Sequence, residues 1–440
     1  MFEPLRNRIY RRLFAAQVIA LVGTGLLTVA LGLLAYELAG GDAGQVLGTA
    51  LAIKMIAYVG VAPIAGAVAG MLPRRGMLVA LDLLRAAIAL CLPFVDQIWQ
   101  IYALIFILQS ASAAFTPTFQ AAIPDILPDE KEYTKALSLS RLAYDMETLL
   151  SPVLAAALLT VMSFHNLFAG TVLGFLISAA FVLSVTLPSP KPSQSASFLQ
   201  RLTNGTQIYL ATPRLRGLLS LNLAAAAGAS IVFVNTIVIV RGSLGLGDGE
   251  VAITLAAFGF GSMAAAFALP RALERLSDRA VMLQGAALMV LPLAAGAFVL
   301  SQRPGSGAWI WILIIWPILG AGYAAVVTPS GRLLRRSAHE SERPALFAAQ
   351  FALSHACWLI TYPLAGWLGA GAGLPLTLLV HAALTILATA GAVWLWPADD
   401  PQVLEHAHPN LPDSHPHVQT SGIRHAHAFV IDPLHRRWPS

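Results

Sequence analysis

Of the 440 residues 57% are hydrophobic and 11% are charged, where a soluble globular chain carries roughly 25% charged residues. That excludes a soluble enzyme or a nucleic-acid-binding domain, because most of the surface must face lipid. The net charge of +5 comes from Lys and Arg gathered in short segments between apolar runs.

Arg6, Arg8, Arg11 and Arg12 precede a first apolar stretch over 13–38. A signal-peptide core is about 7–15 residues long, so this stretch reads as an uncleaved first span. A helix needs about 20 apolar residues to cross the bilayer core. By that measure the following spans are 46–70, 77–95, 98–122, 136–162 and 165–187, then 215–240, 250–270, 280–301, 308–331, 345–370 and 374–396. Polar residues interrupt the fifth and the eleventh. Between the sixth and seventh lies a Pro- and Ser-rich linker that starts Pro188-Ser-Pro190-Lys-Pro192. Its second part, Phe198 to Leu210, has the composition of an amphipathic helix lying on the inner membrane surface.

The prediction is an all-α polytopic membrane protein with twelve transmembrane helices in two six-helix bundles. Residues 1–187 form the first bundle, 188–212 a cytoplasmic linker and 213–396 the second bundle. Residues 397–440 form a disordered, His-rich cytoplasmic tail. With the N-terminus inside, 22 of the 27 Lys and Arg fall in inner segments or at their edges, as the positive-inside rule requires. Both termini are therefore expected in the cytoplasm, with the chain in a bacterial inner membrane as a monomer. Three matches in order suggest an internal duplication: Leu72-Pro73-Arg74 with Leu269-Pro270-Arg271, Thr116-Pro117 with Thr328-Pro329, and Pro152 with Pro363.

Ionisable groups inside spans cost roughly 2.5–3.5 kcal/mol at a helix centre, so each is a candidate transport residue. Asp82 and Arg85, three apart, share a helix face: they gate the inner end of span 3 or form a structural ion pair. Arg141 and Asp145 can pair four apart, leaving Glu147 to exchange protons unless the three lie in the wetted interface. Gln350, His355 and His381 are the polar candidates of the last two spans, as ligands or as packing residues. Gln17, Asn222, Asn235 and Lys54 complete the set, Lys54 with the option of reaching the outer surface. Cys91 and Cys357 both lie in apolar spans, which argues against a disulfide or a thiolate cluster.

Seven of the eleven histidines fall in the last 35 residues. Six form His-x-His pairs: His406/His408, His415/His417 and His425/His427. Residues i and i+2 share one side of an extended chain, and imidazole suits Ni²⁺, Co²⁺ and Zn²⁺. His435 is an isolated seventh. Frequent prolines, Pro397 to Pro439, rule out a long helix here.

Two six-span halves with a long middle linker resemble the major facilitator superfamily. That family's loop after span 2 typically reads Gly-x-Leu-Ala-Asp-Arg-x-Gly-Arg-Arg. Here the stretch is Gly66-Ala-Val68-Ala69-Gly70-Met-Leu-Pro73-Arg74-Arg75-Gly76, so Gly66, Arg74 and Arg75 fit while Gly70 replaces the Asp of the gating salt bridge. Leu81-Asp82-Leu83-Leu84-Arg85 and Ala121-Ala-Ile-Pro124-Asp125-Ile-Leu-Pro128 are similar to the enterobactin-exporter-like branch. The tail resembles that of nickel-resistance exporters of the NreB type.

The resemblance implies alternating access and export of Ni²⁺, or of Co²⁺ or Zn²⁺, in exchange for protons, conferring metal resistance. The metal enters as substrate; no cofactor is expected, and the partners are lipid, metal ion and proton. No Gly-x-x-x-x-Gly-Lys-[Ser/Thr] phosphate loop is present, and no enzyme activity is expected. Export of a siderophore or hydrophobic drug, and a membrane metal sensor that moves nothing, are the rival readings.

Overall fold

The computed structural model describes residues 2–68, 73–187, 198–302, 305–338, 343–401, 403–407, 424–431, 435 and 438. Helices of the first half are α1 (Arg8–Ala39), α2 (Ala43–Val68), α3 (Arg74–Cys91), α4 (Ile98–Ile126), α5 (Glu130–Leu159) and α6 (Leu167–Leu183). α7 (Phe198–Ala211) lies in the linker. The second half comprises α8 (Pro213–Ile237), α9 (Asp248–Arg275), α10 (Asp278–Leu288), α11 (Val290–Ser301), α12 (Trp309–Val327), α13 (Ser330–Arg336), α14 (Arg343–Ala372) and α15 (Leu374–Leu395). Two strands, β1 (Val403–Ala407) and β2 (Arg424–Ala428), follow.

Local chemistry sets the boundaries. The Asn7 side chain accepts from the Ile9 and Tyr10 amides and caps α1, and Asp129 caps α5 through Glu132 N at 2.9 Å; each satisfies amides that a helix start leaves orphaned. α8 opens on Pro213, where the missing N–H costs nothing. The expected span 280–301 is divided at Met289 into α10 and α11. Thr328-Pro329 separates α12 from α13, whereas its counterpart Thr116-Pro117 stays inside α4.

Among the described residues, nine helical stretches are long and apolar enough to cross a membrane. The first, Arg8–Val61, holds α1 and α2 as far as Val61. α5 and α14 are not among the nine; they are the spans that polar residues interrupt. Bulky side chains such as Phe267, Leu291 and Trp394 point outward and are largely exposed, as a lipid-facing surface requires. Cys357 is buried, but Cys91 is exposed on that outer surface.

The halves meet mainly along α2–α14 and α5–α9. Basic residues gather at the end of the bundle where α1 begins, here termed the basic end. There Arg75 donates to the Leu183 carbonyl, Arg12 to the Ser184 carbonyl at 2.6 Å, and Lys135 pairs with Glu3. The Lys135 ammonium holds the exposed Glu3 carboxyl below its ordinary range. At the opposite, far end, α2 and α14 cross closely. A Cβ at Gly48 would lie 2.6 Å from the Tyr362 carbonyl oxygen, and one at Gly366 would overlap the Gly44 carbonyl. Only glycine permits that approach.

α7 packs on α14, with Ile208 and Tyr209 buried. Within the tail, the described residues of β1 and β2 pair antiparallel, with His406 opposite His425 and Leu404 opposite His427. Arg424 Nε donates to Glu405 Oε1 at 2.7 Å across the strands. Phe429, Val430 and Ile431 are buried, and Phe429 and Ile431 join the large apolar core that runs through both halves. Apolar side chains that sequence reading treated as part of a floppy strand therefore pin the tail down. Trp438 stacks edge-on to Phe429 at 5.1 Å and lies 4.8 Å from the Arg214 guanidinium. Asp400 joins Arg214 at 3.2 Å to Arg336 and accepts from Trp396 Nε1 at 3.1 Å.

Candidate transport site

A small cavity lies between the halves, lined by Thr28, Leu31, Leu51, Lys54, Gln109 and Phe233, with α1, α2, α4 and α8 as walls. Lys54 is half-buried and turned into this cavity rather than outward. Its Nζ lies 5.5 Å from the Tyr58 ring, and Glu147 on α5 stands within Coulombic reach. Glu147 also packs against α1: a Cβ on Gly25 would lie 3.4 Å from its Cγ. One half-buried ammonium on α2 and one half-buried carboxylate on α5 thus stand within Coulombic reach of each other, each lowering the other's cost of burial.

Aromatic and hydroxyl side chains surround that pair. Tyr144 on α5 stands beside Gln17 and Thr116, and Gln17 Oε1 accepts from Ser140 at 3.1 Å. From the second half, His355 packs on Tyr58 at 5.1 Å and on Phe351 at 4.0 Å, with its Nδ1 2.6 Å from the Phe351 carbonyl. Trp358, Tyr362, Tyr323, Phe233 and Phe258 continue the aromatic wall. Sequence reading missed Tyr58, Gln109, Tyr144, Trp358, Tyr323, Phe233 and Phe258. Spans that are apolar all round carry no face signal, and only the crossing of α2 with α14 brings these residues together.

The remaining candidates lie elsewhere. Asp82 and Arg85 form a buried ion pair inside the first half. Asp82 also accepts from Ser178 on α6 at 2.7 Å, and the guanidinium sits between Phe115 at 4.1 Å and Phe175 at 4.5 Å. This geometry ties α3, α4 and α6 together. Gln350 accepts from Tyr209 of α7 at 2.5 Å, away from the cavity. His381 is fully buried within the second half, its Nδ1 2.8 Å from the Thr377 carbonyl. Arg141 and Asp145 lie on α5, their side chains outside the described residues. Gly66 is in α2, and Arg74 and Arg75 open α3; residues 69–72 of that loop are outside the described set.

His406 is in β1, and His425 and His427 are in β2; His408, His415 and His417 fall outside the described residues. His435 is buried against Phe429 at 4.9 Å. Among the described residues no group of three or more His, Cys, Asp or Glu side chains stands at metal-holding distance.

The model of the Major Facilitator Superfamily matches residues 13–221 and 217–429. The chain belongs to the major facilitator superfamily. Membership points to a transporter and away from an enzyme. Macrolide efflux protein A of Streptococcus pyogenes is 26% identical over 181 residues, 40% of this chain and 44% of that protein. Its counterpart in Enterococcus faecalis is 27% identical over 152 residues, 32% of this chain and 47% of that one. The matched region thus spans under half the length of these relatives. Among solved structures, a POT family transporter aligns with a TM-score of 0.68 at 13% identity, covering 87% of this chain and 95% of that one. A D-xylose–proton symporter aligns at 0.66 and 14% identity, over 89% and 98%. At such identities the likeness is one of superfamily fold.

Proposed function

We propose that this superfamily member is a secondary active exporter of divalent transition-metal ions, Ni²⁺ foremost and Co²⁺ or Zn²⁺ next, driven by proton antiport. It works in a bacterial inner membrane with both termini in the cytoplasm. One observation carries the metal reading: strands β1 and β2 of the histidine-bearing tail pair with His406 opposite His425, and the residue just before them, Asp400, is fastened to the basic end. A metal-binding strand held there raises the local ion concentration beside the inner mouth, because tethering replaces bulk concentration with an effective one.

The central pair supplies the exchange. Glu147 can hold a proton, pair with Lys54 or engage a cation, but not all at once, so proton entry and cargo release become mutually exclusive. The halves rock about α2–α14 and α5–α9, as alternating access requires. The branch and tail likenesses to enterobactin-type and NreB-type exporters agree with this direction of transport.

A second reading has its own support. The aromatic wall and the macrolide efflux relatives favour a bulky organic cargo. The two readings separate in cells: with metal export, expression lowers cell-associated Ni²⁺ and raises the tolerated Ni²⁺ concentration. Unchanged Ni²⁺ accumulation with confirmed membrane insertion, together with altered drug tolerance, gives the site to an organic molecule.

A further inference from the structure

At the far end, where α2 and α14 cross, the side chain of Asn235 on α8 reaches into the crossing. It is 1% exposed. Its Nδ2 donates to the Ala365 carbonyl of α14 at 3.0 Å, a carbonyl whose place inside α14 already gives it a helix partner. Its Oδ1 accepts from no donor among the described residues. That oxygen faces backbone from both halves. A Cβ added to Gly44 of α2 would lie 2.9 Å from it, and one added to Gly369 of α14 would lie 3.0 Å from it. Glycine Cα groups offer such an oxygen only weak C–H contacts. Turning the amide over is no remedy, because the oxygen would then stand against the Ala365 carbonyl oxygen.

A buried acceptor without a donor has lost its hydration with nothing in its place, and such groups are rare enough that each calls for a reason. The reason here is the state in which the oxygen is buried. The crossing of α2 with α14 at Gly44, Gly48 and Gly366 seals it only while the far end is closed. Parting α2 from α8 and α14 admits water to Oδ1, so the penalty belongs to the closed state alone. Contacts between the halves oppose it. Trp367 Nε1 of α14 donates to Thr49 Oγ1 of α2 at 3.0 Å. Beyond Asn235, α8 runs into one π-turn, Val238–Ser243, a rare geometry that recurs at functional sites. It carries Arg241, whose guanidinium lies 4.6 Å from the Tyr36 ring of α1 and pairs with Asp248 at 2.7 Å. Alternating access needs two states close in free energy, and a latched end with a built-in penalty meets that need.

We infer that Asn235 is a gate residue of the far end. Its unpaired oxygen, masked by Gly44 and Gly369, raises the free energy of the closed state and so sets how often the halves part there. The inference rests on the rocking of the halves in the reading above and not on the cargo; it holds for a metal ion and an organic molecule alike.

The test uses the full-length protein in sealed spheroplasts, with Cys91→Ala, Cys357→Ala and Ala52→Cys as the parent. Ala52 is 7% exposed and lies one turn deeper than Gly48 on the same face of α2. An impermeant maleimide added outside reaches it only when the far end parts. The labelling rate follows the open population as long as reclosing outpaces labelling. Asn235→Leu keeps the branched shape without polar atoms and should slow labelling about fivefold or more. Asn235→Asp keeps the shape, loses the donor to Ala365 and buries a charge in the closed state, and should speed labelling. Asn235→Leu labelled at the parent rate or faster overturns the inference, as does Asn235→Asp unchanged or slowed. If Asn235→Leu does not reach the membrane, Asn235→Asp decides alone. No labelling in any variant removes the rocking of the halves and this inference with it. Labelling that ignores residue 235 removes the inference and leaves the rocking.

Discussion

Asp400→Ala should loosen the basic end of the second half more than any other single change in the tail. Arg214 is 1% exposed, and its charge is met by Asp400 at 3.2 Å, an ionic contact without aligned hydrogen-bond geometry, since neither Nε nor Nη1 of Arg214 has a hydrogen-bond partner. Asp400 also engages Arg336 and Trp396. Removing the carboxylate leaves two guanidinium groups close together, one of them sealed from water. Breaking a buried pair from one side costs about 3–5 kcal/mol. Asp400 is 14% exposed and Arg336 25%, so partial hydration puts the loss near the lower bound, about 3 kcal/mol. At roughly 2–4 °C per kcal/mol for a unit of this size, the thermal midpoint in detergent should fall by about 6–12 °C. Arg214→Leu/Asp400→Leu removes both charges and should recover more than half of that loss, because an apolar pair of similar volume is nearly neutral. A midpoint for Asp400→Ala within about 1 °C of the parent refutes the reasoning.

Other changes probe the spans. Gly366→Leu places a side chain where even a Cβ overlaps the Gly44 carbonyl; overpacking costs about 1–3 kcal/mol and should open the far end, seen as faster thiol labelling of a cysteine at Gln45, while unchanged labelling counts against far-end closure by these glycines. Asp82→Ala strands Arg85 and should cost about 3–5 kcal/mol, with Asp82→Ala/Arg85→Met recovering much of it; normal stability with lost flux makes the pair a gate instead of a brace. Glu147→Gln should abolish flux driven by a pH gradient while leaving cargo exchange at equal pH, and full gradient-driven activity rules Glu147 out as the coupling group.

The fold was legible because its cause is composition. Long apolar runs broken by Arg and Pro, with basic loops on one side, leave little choice but a helical bundle. Legibility fell where position depends on tertiary crossing. In sequence Lys54 belongs to the polar set of the spans or reaches the outer surface; with α2 packed on α4 it lines the cavity beside Gln109, within Coulombic reach of Glu147. Gln350 and His381 stand with His355 as polar candidates of the last two spans, yet α7 takes the first and the interior of the second half takes the second. In the tail, the prolines suggested disorder. A signal not used was the apolar run Phe429-Val430-Ile431, which is buried and helps hold a pair of five-residue strands that would not be stable alone.

The most direct measurement is Ni²⁺ movement in proteoliposomes loaded with an acidic lumen and diluted into neutral buffer. The account predicts that Ni²⁺ accumulates inside as protons leave, that a protonophore abolishes the accumulation, and that Glu147→Gln shows none of it. Proton release unaffected by Ni²⁺, with no metal entering vesicles that hold correctly inserted protein, would contradict it.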